Sequence, residues 1–278
     1  MVYQAKAYVK SLVGLNCSTT ARQYIIRPEI MSNSGFKADR AGPIILAIDT
    51  SSSEARLAVS IAENVIAALS IRNDRPHSQT LFSQISTLLQ LSDIKVEEIG
   101  AFAAATGPGS FTGLRVGLAA VKGLADSLRK PCLGVDSLDL HALASGIDGA
   151  HLVMLCAGRD EVYCGFRDVA SGDIVDRPAG DKVGEPLSVL RAMPEFLRRT
   201  PLIIVGDGGY KYKDETSGLI NQLRVYGTIE TIFLKPGLNI PSVLAQRAAL
   251  LMKENRIAPI APHYIRQSDA EIRRDGRQ

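Results

Sequence analysis

The stretch Thr106 to Gly117, TGPGSFTGLRVG, constrains this chain more than any other, because four glycines and a proline join an apolar strand-like run to a strongly helical one. A turn so rich in glycine lets the backbone approach something closely, either a phosphate-bearing ligand or another helix, or it is simply a tight strand-to-helix turn. It meets neither usual nucleotide spacing. Gly107 and Gly109 open a GxG, but Thr112 stands where the dinucleotide fingerprint needs its third glycine, and there is no GxxxxGK[ST] loop. Ser110 or Thr112 is placed to cap the following helix, whose positive end suits an anion.

The pattern around this turn predicts an α/β fold. Ile44 to Ile48 is a continuous apolar run ending in Asp49, Thr50 and three serines. Leu57, Val59 and Ile61 alternate, and Glu63 and Asn64 turn the chain into a third strand through Ile71. Leu81, Phe82, Ile85, Leu88 and Leu89 recur at helical spacing, with Ser78 as the expected cap, and Leu114, Leu118, Val121, Ala125 and Leu128 stripe the helix after the glycine turn. The second half opens the same way, with an apolar run at Leu152–Leu155 and alternation over Glu161–Phe166. Pro201–Val205 then runs into Gly206–Gly209, and a helix is expected over Ser242–Asn255. A strand meander opening each half predicts a duplicated fold with mixed sheets flanked by helices.

The expected division is an extension at 1–42, subdomains at 43–148 and 149–266, and a tail at 267–278. The extension is expected to be disordered, because its first 40 residues carry six Lys and Arg against only Glu29 and Asp39 and show no core periodicity. In the whole chain 32 Lys and Arg face 29 Asp and Glu, too even a balance for a nucleic-acid-binding field, so RNA contact is expected only through a partner. The four cysteines form no CxxC, as expected for reduced thiols in the cytoplasm. No apolar run reaches the roughly 18 residues of a membrane span. His77, His141, His151 and His263 include no pair three or four residues apart, so a helical two-histidine metal site is not expected. His77 and His141 read as helix-start or surface residues.

The segments ILAIDTSSSEARLAVS, HSQTLF, TGPGSFTGLRVGLAAVKGLA, DEVYCGF and PHYIR, in this order, resemble the bacterial TsaB (YeaZ) family over about Ile44 to Arg266. That resemblance implies the actin-like (ASKHA, ribonuclease-H-like) architecture. It further implies a non-catalytic scaffold that dimerises with a TsaD-type catalytic subunit, in the complex that adds a threonylcarbamoyl group beside the tRNA anticodon. A TsaE-type ATPase joins that complex, tRNA is met only through it, and a homodimer is an alternative pairing.

Actin-like phosphotransferases use one carboxylate at the end of the first strand and another opening the second half. Asp49 fills the first place, or simply holds the turn after it. The second place reads Leu155, Cys156, Ala157, Gly158, where the family often has Asp-Ala-Arg, so autonomous ATP-dependent phosphotransfer is not expected. No cofactor is expected on this chain alone. ATP or ADP at the surface shared with the partner would use Asp49, Thr50, Arg115, Gly206 and Gly208. Arg115 either pairs with a partner carboxylate or phosphate, or is solvated. The partner surface is expected on two helices, at Leu81, Ile85, Thr112, Gly113, Leu114, Gly117, Ala120 and Leu124. There Gly113 and Gly117 form a small-residue ridge, which either meets the partner or seats the helix on its own sheet.

Overall fold

The computed structural model describes residues 22–26, 42–72, 74–192, 195, 201–222, 231–234, 237, 239–257 and 260–265. The tail at 267–278, and all of the expected extension except 22–26 and 42, lie outside the described residues.

Three strands form the predicted meander: β2 (Ile44–Asp49), β3 (Glu54–Ile61) and β4 (Asn64–Arg72). Their antiparallel register pairs Asp49 with Arg56 and Leu57 with Leu69. β5 (Ala101–Ala105) and β6 (Cys132–Val135) then add in parallel on the other side of β2. Within the presumed extension the sequence RQYII forms β1 (Arg22–Ile26), which pairs antiparallel with the outer edge of β4. A disordered extension is therefore the wrong description of these five residues. The pairing covers an edge of β4 that would otherwise stand open.

The second sheet repeats the plan. β7 (Gly149–Gly158) is its central strand, antiparallel to β8 (Glu161–Ala170) and parallel to β11 (Leu202–Val205), which pairs in parallel with β12 (Thr231–Phe233). The short strands β9 (Asp173–Asp176) and β10 (Lys182–Gly184) flank β8.

Each face of the first sheet is covered for a readable reason. One face carries Leu46, Ile48, Leu57, Val59 and Phe102 against α1 (His77–Leu91) and α2 (Phe111–Leu128). The opposite face is built of Ala47, Ala58, Ala68, Ala101, Ala103 and Ala105. These short side chains let a helix lie close, and α7 (Ile240–Lys253) lies there through Leu244, Ala245, Ala248 and Leu251. The last helix thus returns to the first sheet, although the sequence division groups it with the second half.

α3 (Ser137–Leu143) ties the halves together: Leu140 joins the alanine face of the first sheet, while Leu138 and Ala142 pack with Val153, Val169 and Ile203 of the second. α4 (Pro186–Arg191), α5 (Asp207–Lys211) and α6 (Lys213–Gln222) complete the second half. α1 begins after Pro76 with no side-chain cap, two residues earlier than Ser78 would place it, so Ser78 lies inside the first turn.

Candidate functional site

In open α/β sheets the carboxyl ends of the parallel strands face the ligand crevice. Here the end of β7 and the segments that follow β2, β5 and β11 line one cleft of about 660 Å³ between the halves, with Ser51–Ser53, Pro108–Thr112, Leu155–Gly158 and Asp207 on its walls. A strap from the C-terminal end, His263 to Ile265, closes one side. The His263 amide donates to the Thr106 carbonyl at 2.8 Å, and Tyr264 stacks 5.0 Å from Phe111. Arg115 lies 3.8 Å over the Phe111 ring and donates to the Tyr264 hydroxyl at 3.2 Å.

The five residues expected at a nucleotide do not converge on this cleft. Asp49 is 1 % exposed and its carboxylate is spent: Oδ1 accepts from the Ser51 amide at 2.8 Å and Oδ2 from Arg56 at 3.2 Å. Thr50 donates its hydroxyl to the Gly113 carbonyl at 2.8 Å, away from the cleft. Gly206 and Gly208 lie against the Met154 carbonyl, and Gly206 faces a separate cavity of about 210 Å³. Only Arg115 stands at the rim, beside Phe111 and Tyr264. The residue missed was Asp207, whose Oδ1 accepts from the Cys156 and Gly208 amides at 2.9 Å each. Arg56 was also missed, although a lone arginine in an apolar strand, in register with Asp49, was the available signal.

The expected partner surface is corrected as well. A Cβ on Gly113 would overlap the Thr50 carbonyl, and one on Gly117 the Thr50 hydroxyl. The two glycines therefore seat α2 on the end of β2 and offer nothing to another chain. Leu81, Ile85, Leu114 and Ala120 are buried in the same core, and Leu124 packs half-buried against it. Thr112 is exposed in the cleft wall. Ser110 caps α2, its hydroxyl accepting from the Gly113 amide at 3.2 Å.

A buried ionic cluster binds the strap side of the cleft to β8. Arg167, 1 % exposed, donates to Asp139 at 2.5 Å, to Asp181 at 2.7 and 2.9 Å and to Asp136 at 3.3 Å. Arg177 adds a second cation to Asp139. His263 Nδ1 lies 2.7 Å from the other Asp136 oxygen. Burial opposes ionisation of Asp136, but the hydrogen bond from His263 and the charge of Arg167 outweigh it and hold its carboxyl below the usual range. The same hydrogen bond, against some desolvation, raises His263. Asp136, Asp181 and His263 have metal-like spacing, yet both carboxylates are already paired with the Arg167 guanidinium. His141 is neither a helix start nor a surface residue. It is 7 % exposed in α3, and burial together with the Arg56 charge lowers its imidazole to about 4, against the raising influence of Asp49 and Asp207.

Two sheets of one strand plan, with the cleft at their carboxyl edges and a helix shared between them, define a duplicated actin-like protein. The family model described as TsaD, tRNA N6-adenosine threonylcarbamoyltransferase, matches residues 61–274, and the chain belongs to that family. Within it, the resemblance to TsaB extends over nearly a whole relative: the tRNA threonylcarbamoyladenosine biosynthesis protein TsaB of Bacillus subtilis is 28 % identical over 233 residues, 82 % of this chain and 96 % of that protein. The tRNA N6-adenosine threonylcarbamoyltransferase of Solidesulfovibrio magneticus is 35 % identical over 115 residues, so the chain spans only 31 % of that relative. YeaZ from Pseudomonas aeruginosa shares the fold, with TM-score 0.60 at 21 % identity over 80 % of this chain and 99 % of that one. A second Pseudomonas aeruginosa structure, described as an uncharacterized protein with similarity to peptidase YEAZ, gives TM-score 0.64 at 24 % identity over 81 % and 100 %.

Proposed function

We propose that this chain works in tRNA threonylcarbamoyladenosine biosynthesis as the non-catalytic partner of a TsaD-type transferase, holding that subunit in its active geometry. The observation that carries the non-catalytic reading is the Asp49–Arg56 pair. The carboxylate at the end of the first strand is bound by a guanidinium, and β7 ends in Leu155, Cys156, Ala157 and Gly158 without a second acid. Phosphotransfer by an actin-like fold needs free carboxylates to hold a metal-nucleotide and orient the attacking oxygen. Here, among the described residues, only Asp207 keeps a free oxygen in the cleft, one carboxylate where two are needed.

The partner is met on the outer faces of α1 and α2. Phe82 on α1 is 60 % exposed, a large apolar group with reason to be covered. On α2 Ala119 and Gly123 are small and exposed, and a Cβ on Gly123 would meet nothing within 4 Å. A helix backbone approaches closely there, about 120° around the helix from the face expected from the glycine spacing. A TsaE-type ATPase and tRNA join through the assembled complex, and the same face serves a homodimer when the partner is absent. Any ATP or ADP belongs to the joint surface with the partner.

Mixing the chain with its TsaD-type protein and measuring mass by light scattering after size exclusion tests this reading, with ATP turnover by the isolated chain measured alongside. A heterocomplex without turnover supports it. Turnover by the isolated chain that disappears in Asp49→Ala, with no heterocomplex, sinks it.

A further inference from the structure

The first turn of α2 leaves two backbone donors open to the cleft. The Ser110 amide donates to the Ser51 carbonyl at 2.7 Å, the Gly113 amide to the Ser110 hydroxyl, and the Leu114 amide to the Ser110 carbonyl at 2.8 Å. The Phe111 and Thr112 amides have no acceptor among the described residues, although both residues line the cleft, and no acidic side chain lies in that turn. Arg115, one turn further on, has no carboxylate partner among the described residues. Unpaired amides at a helix start, backed by a guanidinium, suit an oxyanion.

An independent feature deeper in the same cleft also asks for a ligand. The His141 ring borders the cleft while more than nine-tenths buried, and it makes no hydrogen bond with any described residue. Its ring is left without a protein partner among the described residues at the cleft wall. With its basicity lowered to about 4 it is neutral at pH 7, and so offers one N–H donor and one acceptor nitrogen. Of the carboxylates nearby, Asp49 and Glu54 are engaged with Arg56 and Asp136 with His263, and Asp207 alone keeps one oxygen free, a single ligand atom where a divalent metal needs several. A volume of about 660 Å³ is in the range of small-molecule sites.

We infer that this cleft binds a small, oxyanion-bearing molecule without a divalent metal, its phosphate or carboxylate group on the Phe111 and Thr112 amides and Arg115, and a polar group of its body on His141. This goes beyond the scaffold reading and does not depend on it. The shared chemistry is the oxyanion, and the source is either a phosphate ester or a carboxylic acid.

The test is an NMR titration of the full chain, with backbone amides and histidine rings observed, using inorganic phosphate and citrate separately at constant ionic strength in EDTA. Saturable shifts of the Phe111 and Thr112 amides and of the His141 ring are expected with at least one probe, and the probe that binds names the source. Thr112→Glu places a tethered carboxylate at the helix start and is expected to weaken binding at least tenfold while its melting temperature holds. No saturable shift with either probe, equal affinity in Thr112→Glu, a motionless His141 ring at saturation, or binding that appears only on adding magnesium would each overturn the inference.

Discussion

The Thr50 hydroxyl donates to the Gly113 carbonyl at 2.8 Å across 63 residues of sequence, and the same oxygen occupies the space a Cβ on Gly117 would need. One side chain at the end of β2 therefore fixes both the position and the composition of the first two turns of α2, and with them the wall of the cleft.

Gly117→Ala is expected to destabilise the chain by about 1–3 kcal/mol, because overpacking at a closed contact outweighs the gain in helix propensity. Thermal unfolding should show a fall of at least about 2 °C. Thr50→Val, which deletes only the hydrogen bond, should lose about 1 kcal/mol. An unchanged midpoint in Gly117→Ala would return this face to the partner.

Gly123→Leu works in the opposite direction. Its Cβ meets open space, and replacing a mid-helix glycine adds up to about 1 kcal/mol of helix propensity, so the melting temperature should hold or rise. Binding to the TsaD-type partner should be lost in a pull-down, and likewise in Phe82→Glu. A variant that melts normally and still binds the partner would move the interface elsewhere.

The meander, the helical stripes and the duplication were legible because each rests on periodicity within a short window. What was not legible rests on distance. The spacing of Gly113 and Gly117 marks a small-residue face but cannot say what fills it, and Thr50 lies far back in sequence. The stripe of α7 shows that the helix is buried, whereas its choice of the first sheet is written in the alanines of β3 and β5. Arg167 alternates on β8 like a solvent-facing residue, and its three carboxylates come from α3, from the residue that caps α3 and from the loop before β10.

That cluster predicts a pH-dependent cost. Arg167→Met leaves Asp136, Asp139 and Asp181 crowded, with Arg177 and His263 to answer them among the described residues, and breaking a buried pair in this way costs about 3–5 kcal/mol. The depressed Asp136 carboxyl contributes stability above its ordinary value, and that contribution is lost as pH falls through the folded value. Removing Arg167 raises that folded value, so the deficit of the variant is full at pH 7 and shrinks as pH falls below the ordinary value of 3.8 toward about pH 3. Urea unfolding at both pH values measures it, and a deficit that stays constant would mean that Arg167 acts by packing alone.

The strap offers the sharpest titration. His263 faces Asp136 directly, with Asp181 and Arg167 beside it, and its imidazole is raised above 6.5 chiefly by the hydrogen bond to Asp136. A raised histidine tightens its contact fully below the ordinary value, and the contact weakens as pH climbs through the folded one. The His263 amide held by Thr106 should therefore exchange faster at pH 8.5 than intrinsic base catalysis explains, while an amide inside β5 should not. In Asp136→Asn the ring proton resonance should titrate at lower pH than in the wild type, and the extra exchange should vanish. If the two proteins titrate together, the 2.7 Å contact is geometric only, and the strap is held by Tyr264 on Phe111 and Arg115.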